Sequence, residues 1–426
     1  MRPTTTAGAR KPPARRAPRR ATVAAVVVAA LTIAAAGAAA GALLSACGSS
    51  PAPSATVTVT ATPSTATSAP PVASPSTSSS GATQPQLVVA VASGAKANGI
   101  SVINSTGKVR QLVAPSGGPI RDLSWSPDGV RLAFLRAVSD TDSTSSLFVY
   151  NTRKALLYQV GAGIAPATVD SFAWVGATQL ILSYFPVGAV TYHANGTLWL
   201  RDIAKTAGEL VKDSTGHVVR GVAVSSSADG TRLAFVTYGA MSSGMIAERL
   251  RVYDADDLSV STVATGQAPT QEDGDQFSYP LISPDGSLIS ALQTGSDIGF
   301  GCTVYGIDGA KHLQANGLVW PAPGSWTAHG PRLAFGGGNG ASGGQSDSLL
   351  VWPAGAAKAS PILTVATRPI TSLAWTPKAL QIAYVVAGKS GLQGSLWIVN
   401  VDGANRHLLL AQGSWPAWAE APIRFP

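Results

Sequence analysis

Charge is scarce in this sequence. Of 426 residues, 12% are Asp, Glu, Lys or Arg, about half the usual share for a soluble domain. Cysteine is scarcer still, with Cys47 and Cys302 alone, which excludes a disulfide framework and any multi-cysteine metal centre. The five histidines, His193, His217, His312, His329 and His407, form no H-x-x-x-H or H-x-H pair. They read as loop or surface residues, so neither a metal nor a cofactor is expected. Acids are missing from the first 46 residues, which hold Arg2, Arg10, Lys11, Arg15, Arg16, Arg19 and Arg20. Beyond them 23 basic residues face 22 acidic ones, so the formal charge of +8 belongs to the leader and the body is close to neutral. That balance argues against a general grip on phosphate backbones, and no nucleic-acid partner is expected. Glycine, by contrast, is abundant at 45 residues, and short apolar runs alternate with turn residues, as in a chain of many short strands.

The leader reads as a targeting segment. A basic region ends at Arg20, an Ala/Val/Leu-rich stretch runs from Ala21 to Leu44, and Leu44-Ser45-Ala46-Cys47 follows. This tetrapeptide resembles the lipobox of bacterial lipoproteins. The resemblance implies cleavage between Ala46 and Cys47 and a diacylglyceryl thioether on Cys47, so that paired acyl chains such as palmitate hold the protein on the outer face of the membrane. An uncleaved transmembrane anchor and an incidental thiol after a secretory signal are the competing readings. "ARRAPRRA" contains two arginine pairs without the fuller twin-arginine consensus, and the export route stays open.

After residues 1–46, residues 47–86 form a Ser/Thr/Pro/Ala tether that cannot build a core. No charge occurs between Ala21 and Ala95. As a flexible coil the tether spans roughly 35 Å, and on the order of 100 Å if its prolines keep it extended. Its composition also suits O-linked sugars.

The segment "LSWSPDGVRLAFLR", from Leu123, sets the pattern for residues 87–426. Pro127 presets φ for a turn, Asp128 can bond its own backbone, and Gly129 tolerates a left-handed φ, so a hairpin is expected. Related turns recur at Asp229-Gly230 and at Pro284-Asp285-Gly286. Seven strands of one kind can be counted, from "LVVAVA" at Leu87 through "RLAFLR", "QLILSY", "RLAFVT", "LISALQ" and "RLAFGG" to "QIAYVV" at Gln381. A second strand follows each, from "ISVIN" at Ile100 to "LWIVN" at Leu396, and a preceding strand is found seven times, ending with "SWPAWAE" at Ser414.

The frame is offset, since the chain opens on the second strand of a unit and closes on the first strand of one. The tail is therefore expected to pair with Leu87–Ala92 in a hybrid closing unit, which removes an exposed edge. These repeats predict an all-β, seven-bladed β-propeller, with six blades as the alternative because the third and fifth units are degenerate.

The W-[ST]-P-D-G-x-[RQ]-[LI]-A-[FY] core, clearest at Trp125–Phe134 and echoed at Trp375–Tyr384, resembles the TolB-like, WD-repeat-like propeller repeat. With the leader, the chain resembles the propeller part of actinobacterial LpqB-type lipoproteins. The additional N-terminal domains of those families find no room between Cys47 and Leu87.

Local catalytic motifs fail on context. Gly338–Gly344 contains G-x-S-x-G around Ser342, but a loop between two strands provides neither a nucleophile elbow nor a phosphate cradle. The acidic stretches at Asp140/Asp142, Asp254/Asp256/Asp257 and Glu272/Asp273/Asp275 complete no calcium loop. Trp125, Trp174, Trp326, Trp375 and Trp418 share one register and read as core, as do Trp199, Trp352 and Trp397; Trp320 and Trp415 fall outside both and read as boundary packing first and as candidate contact residues second. Cys302 reads as a small buried core residue. The expected function is non-catalytic: a lipid-anchored binding or scaffold protein of the cell envelope, whose protein or cell-wall partner meets the face bearing the long connections "AVSDTDSTSS", "PVGAVTYHANGT", "GAMSSGMIAE" and "GGNGASGGQSDS". The alternatives are a propeller hydrolase or lyase with its site at the central channel and a solute-capturing lipoprotein. Three or more convergent carboxylates or histidines in the channel would favour the enzyme.

Overall fold

The computed structural model describes residues 88–419 and 423, apart from 105–106, 139–143, 162–166, 187–193, 206, 243–244, 270–276, 296–298, 319–323, 329, 339–346, 366–367 and 389–392. The leader, the tether with Cys47, and the expectations placed on Asp140, Asp142, His193, Glu272, Asp273, Asp275, Trp320, His329 and Ser342 lie outside the described residues.

Within these bounds every regular element is a β-strand. The chain enters through β1 (Val88–Ser93), β2 (Gly99–Asn104) and β3 (Val109–Val113). Four sequential strands then form each of the next sheets: β4 (Ile120–Trp125), β5 (Arg131–Ala137), β6 (Ser145–Asn151) and β7 (Leu156–Val160); β8 (Ala167–Val175), β9 (Gln179–Pro186), β10 (Thr197–Asp202) and β11 (Glu209–Leu210); β12 (Val222–Ser226), β13 (Arg232–Ser242), β14 (Met245–Asp254) and β15 (Ser259–Pro269). The series continues with β16 (Phe277–Ile282), β17 (Leu288–Gly295), β18 (Gly299–Gly306) and β19 (Lys311–Leu318), then β20 (Ser325–Trp326), β21 (Arg332–Gly338), β22 (Asp347–Pro353) and β23 (Ser360–Val365). It ends with β24 (Ile370–Trp375), β25 (Gln381–Ala387), β26 (Gly394–Asn400) and β27 (His407–Trp418).

Five sheets have four strands, and the sixth has seven in the order β24-β25-β26-β27-β1-β2-β3. The pivot of that sheet is β27. Its first half pairs with β26, as at Ile398↔His407 and Gly394↔Gly413, and its second half pairs with β1, as at Ala92↔Ser414 and Val89↔Trp418. The seven-stranded sheet is thus two four-stranded units that share one long strand. Among the described residues the hydrogen-bonded sheets number six, and counting β27 in both of its halves gives seven four-stranded units. The tail does supply the innermost strand of the first unit, and Ala419 donates its N–H to Val88 O at 3.1 Å.

The cores lie between units. Second strands are buried along nearly their whole length, with Leu132, Ala133 and Phe134 all at 0% exposure, because each is covered by a neighbouring sheet on both faces. Outer strands are largely exposed, as in β3, whose first three residues face solvent. One expected long connection is mostly strand: Gly239–Glu248 continues the β13–β14 ladder through Ser242↔Met245, and β15 follows to Met245↔Pro269. Among the described residues no helix is long and apolar enough to cross a membrane.

Candidate functional site

The tight turns come first, because they set where the first strand of each unit ends. At Ser126-Pro127-Asp128-Gly129, Gly129 N–H closes on Ser126 O at 2.8 Å and Gly129 takes φ +66°. Asp128 Oδ1 accepts from Val130 N–H at 3.0 Å and from Ser126 Oγ at 2.5 Å, while Ser126 Oγ accepts from Arg131 N–H at 3.0 Å. The same network forms around Asp229 and Gly230 with Ser227, and around Pro284, Asp285 and Gly286 with Ser283. Hydrogen bonds from Ser227 and Thr231 hold the Asp229 carboxyl below its ordinary range. Burial pushes the Asp285 carboxyl up, but bonds from Ser283 and Ser287 outweigh it and leave it lowered. These aspartates are committed to turn geometry, and the buried hydroxyls of Ser126, Ser227 and Ser283 are their partners.

The first strands of the units are bulged. In β4 one extra residue fits between the Arg121↔Leu135 and Ser124↔Ala133 pairs, and β8, β12, β16, β24 and β27 carry the same irregularity. Asp122, Ala223, Tyr279 and Trp415 sit there with φ between +50° and +53°. A non-glycine residue pays roughly 1 kcal/mol for that conformation, and a bulge re-aims its side chain. Trp415 is a half-buried bulge residue packed on the core of the closing unit, in line with boundary packing rather than free contact.

The inner strands surround a cavity of about 910 Å³. At one end it meets the turns, at Pro127, Ala228, Pro284 and Ala328; at the other it meets Arg121, Asp122, Asp170, Tyr238 and Tyr279. Ile120 pairs with Arg136, immediately before the β5–β6 connection, so the charged end is the end from which the long connections depart.

Arg121 Nη2 donates to Asp170 O at 3.4 Å and to Ser145 Oγ at 3.3 Å, and its Nε lies 3.8 Å from Asp122 Oδ2. Asp170 Oδ2 accepts from Ala223 N–H and Ser171 Oγ, each at 3.0 Å, tying its unit to the next. The Asp122 side chain keeps 32% of its surface in the cavity, yet protein surrounds it. Burial raises its carboxyl above the ordinary range, the nearby Arg121 guanidinium opposes that, and Asp170 adds to it. Tyr279, 48% exposed across the bore, has its phenol raised by burial and by the negative charge of Asp122 and Asp170, against Arg121.

Sequence reasoning missed this group, since no motif joins Arg121 to Tyr279. The only signal was position: each lies three or four residues before the tryptophan register. Of the remaining candidates, His217, His312 and His407 are exposed, Asp254 pairs with Arg232 at 3.0 Å, and Asp256 and Asp257 occupy an exposed turn. Cys302 is buried, and burial pushes its thiol up to about 12. Among the described residues no three His, Cys, Asp or Glu side chains gather to hold a metal ion.

No family model matches the chain, and no curated protein matches it in sequence. Solved structures do resemble it. One is an oligogalacturonate lyase in complex with manganese, at 14% identity and TM-score 0.51, covering 77% of this chain and 85% of that one. Another is an oligogalacturonate lyase from Vibrio parahaemolyticus, at 12% identity and TM-score 0.50, covering 76% and 85%. A third is TolB from Acinetobacter baumannii, at 13% identity and TM-score 0.43, covering 79% of this chain and 66% of that one, so the chain spans just under two thirds of that TolB. At such identities the two lyase likenesses speak to the fold alone: a β-propeller of repeated small antiparallel sheets.

Proposed function

We propose that this chain is a lipid-anchored, extracytoplasmic β-propeller that binds a partner or ligand at the charged mouth of its bore without transforming it, as a binding or scaffold protein of the cell envelope. The leader ending in Leu44-Ser45-Ala46-Cys47 and the uncharged tether support the placement, with residues 1–46 as signal peptide and Cys47 as the acylated anchor. Resemblance to LpqB-type lipoproteins fits the same placement.

The observation that carries the reading is how the bore's polar groups are spent. Asp170 is bound to the next unit's backbone and Arg121 bridges Asp170 to Ser145. The Tyr279 phenol is raised, which disfavours the phenolate a base or nucleophile would need. These groups shape a recognition surface and do not form a nucleophile with its base. The alternative, a hydrolase or lyase, draws its support from Asp122, a raised carboxyl of the kind that donates protons.

The test is a photo-crosslinking residue at Ala223 in the full-length protein, activated in intact cells. The expected outcome is one saturable envelope adduct that is lost in Tyr279→Ala, kept in Leu156→Ala, and lost from the membrane fraction in Cys47→Ser. A bore that yields no such adduct, or purified protein that turns over envelope glycans or esters with Asp122-dependent kcat, contradicts the proposal.

A further inference from the structure

We propose that the charged mouth of the bore binds a primary ammonium group, with the Asp122 carboxylate as counter-ion and the Tyr279 side chain as the opposite wall. The inference rests on reading the bore as the ligand site.

Among the described residues, the ionisable groups facing the cavity are Arg121, Asp122, Asp170, Tyr238 and Tyr279. Among the described lining residues two carboxylates stand against one guanidinium, an excess of one negative charge. The two carboxylates also differ in their bonds. Asp170 Oδ2 receives two donors. Among the described residues Asp122 has only Arg121 Nε at 3.8 Å, beyond hydrogen-bonding reach, and the bulge turns it from the ladder into the cavity. A carboxylate so placed keeps acceptor capacity open to a ligand in the cavity. Burial and then the charges of Asp122 and Asp170 push the Tyr279 phenol up against Arg121, which agrees with a negative potential on the Tyr279 side of the mouth.

The excess of negative charge among the described lining groups disfavours an anionic ligand there. A divalent metal ion would want several hard oxygen ligands, and one free carboxylate with a phenol falls short. An ammonium group needs less: it donates three hydrogen bonds from a compact charge, and an aromatic face adds cation–π attraction. Carboxylate, phenol hydroxyl, ring face and the ladder groups freed by the bulges match that demand. The ammonium can belong to a small amino sugar or terminate a peptide, since both fit a mouth open to the loop face.

Calorimetric titration of the purified full chain tests this with D-glucosamine and tetra-alanine beside their acetylated counterparts, N-acetylglucosamine and acetyl-tetra-alanine. At pH 7.5 one of the two amines is expected to bind at one site per chain, at least tenfold tighter than its acetylated form. Whichever amine binds identifies the source of the ammonium. Asp122→Asn should weaken that binding at least tenfold and Leu156→Ala should leave it unchanged; binding should also weaken as pH falls through the raised titration of Asp122. Asparagine tolerates the left-handed backbone at this position, so the variant folds. Equal binding of the acetylated form, undiminished binding to Asp122→Asn, or no binding of either amine overturns the inference. Acetylated ligand bound independently of Asp122 would leave the binding reading of the bore intact, whereas an empty crosslink at Ala223 would remove both.

Discussion

Single residues carry the turn geometry, and one of them departs from the pattern. Ala379 closes its turn by donating to Thr376 O at 2.8 Å with φ +54°, where Gly129, Gly230 and Gly286 take φ +66°, +75° and +71° in the equivalent turns. The side chain is strained there, and relief exceeds the extra unfolded-state entropy of glycine. Ala379→Gly is expected to stabilise by about 0.5–1 kcal/mol, read as a rise in urea midpoint with unchanged slope. Asp122 makes the opposite kind of statement. Because its folded carboxyl titrates above its ordinary value, its protonated form favours folding, and that contribution is present at acid pH and lost as pH rises through the raised value. Asp122→Asn should therefore raise Tm at pH 7.5 and match the parent near pH 3.5; a variant less stable at pH 7.5 would refute the assignment. Much of this scale was legible beforehand, since Pro127, Asp128 and Gly129 each act through an intrinsic backbone preference. The buried Ser126, Ser227 and Ser283 hydroxyls escaped notice because serine before a turn reads as generic polarity.

Between elements, the tryptophan register proves to be a set of ties from one unit to the next. Trp174 Nε1 donates to Ser124 O at 3.1 Å, Trp326 Nε1 to Leu281 O at 2.9 Å, and Trp375 Nε1 to Ser325 O at 2.9 Å. Trp125 Nε1 donates to Ala417 O at 3.1 Å, joining the second unit to the chain's tail. Where the register holds Ser226, its hydroxyl donates to Trp174 O at 2.5 Å and does the same work with a smaller group. Trp418 is the exception, as its buried Nε1 has no partner. Comparing Trp174→Phe with Trp418→Phe separates the bond from the burial, since both lose similar apolar area. The first should cost about 1–2 kcal/mol more than the second in chemical denaturation, and equal costs would show that the ties contribute nothing. Periodicity revealed that these residues are core, but it reports only on a strand's own faces. Which neighbouring carbonyl an indole reaches depends on the angle between sheets, and the degenerate repeat at β12 hid Ser226 for the same reason. The outer strands were equally silent in sequence, because β3, β7 and β11 are short, exposed and without clear alternation.

At the scale of the whole molecule, function depends on closure. Inner strands from several units line the bore, and Arg121, Asp170, Ala223 and Tyr279 come together across three unit boundaries only if the sheets are held in a ring. The offset of the repeat frame made the ring predictable, because a lone first strand at the end has one unit to complete. The chemistry of the mouth was not predictable, since it arises from bulges at matching positions of different sheets and leaves no contiguous motif. Closure itself rests on β27, whose second half runs antiparallel to β1. Val88 and Ala419 are a hydrogen-bonded pair, so Ala90 and Ala417, two residues along and also partners, fall in the same class with Cα atoms about 5.5 Å apart, within reach of a disulfide. Cys302, buried with its thiol pushed up to about 12, will not compete for oxidation. The decisive measurement is therefore the oxidation of Ala90→Cys/Ala417→Cys in a Cys47→Ser background, followed by mass and thermal denaturation. Closure predicts a quantitative 90–417 disulfide in the native protein and a Tm above that of the reduced form. Two free thiols that both label readily under native conditions would contradict it, and with it the bore on which the functional reading stands.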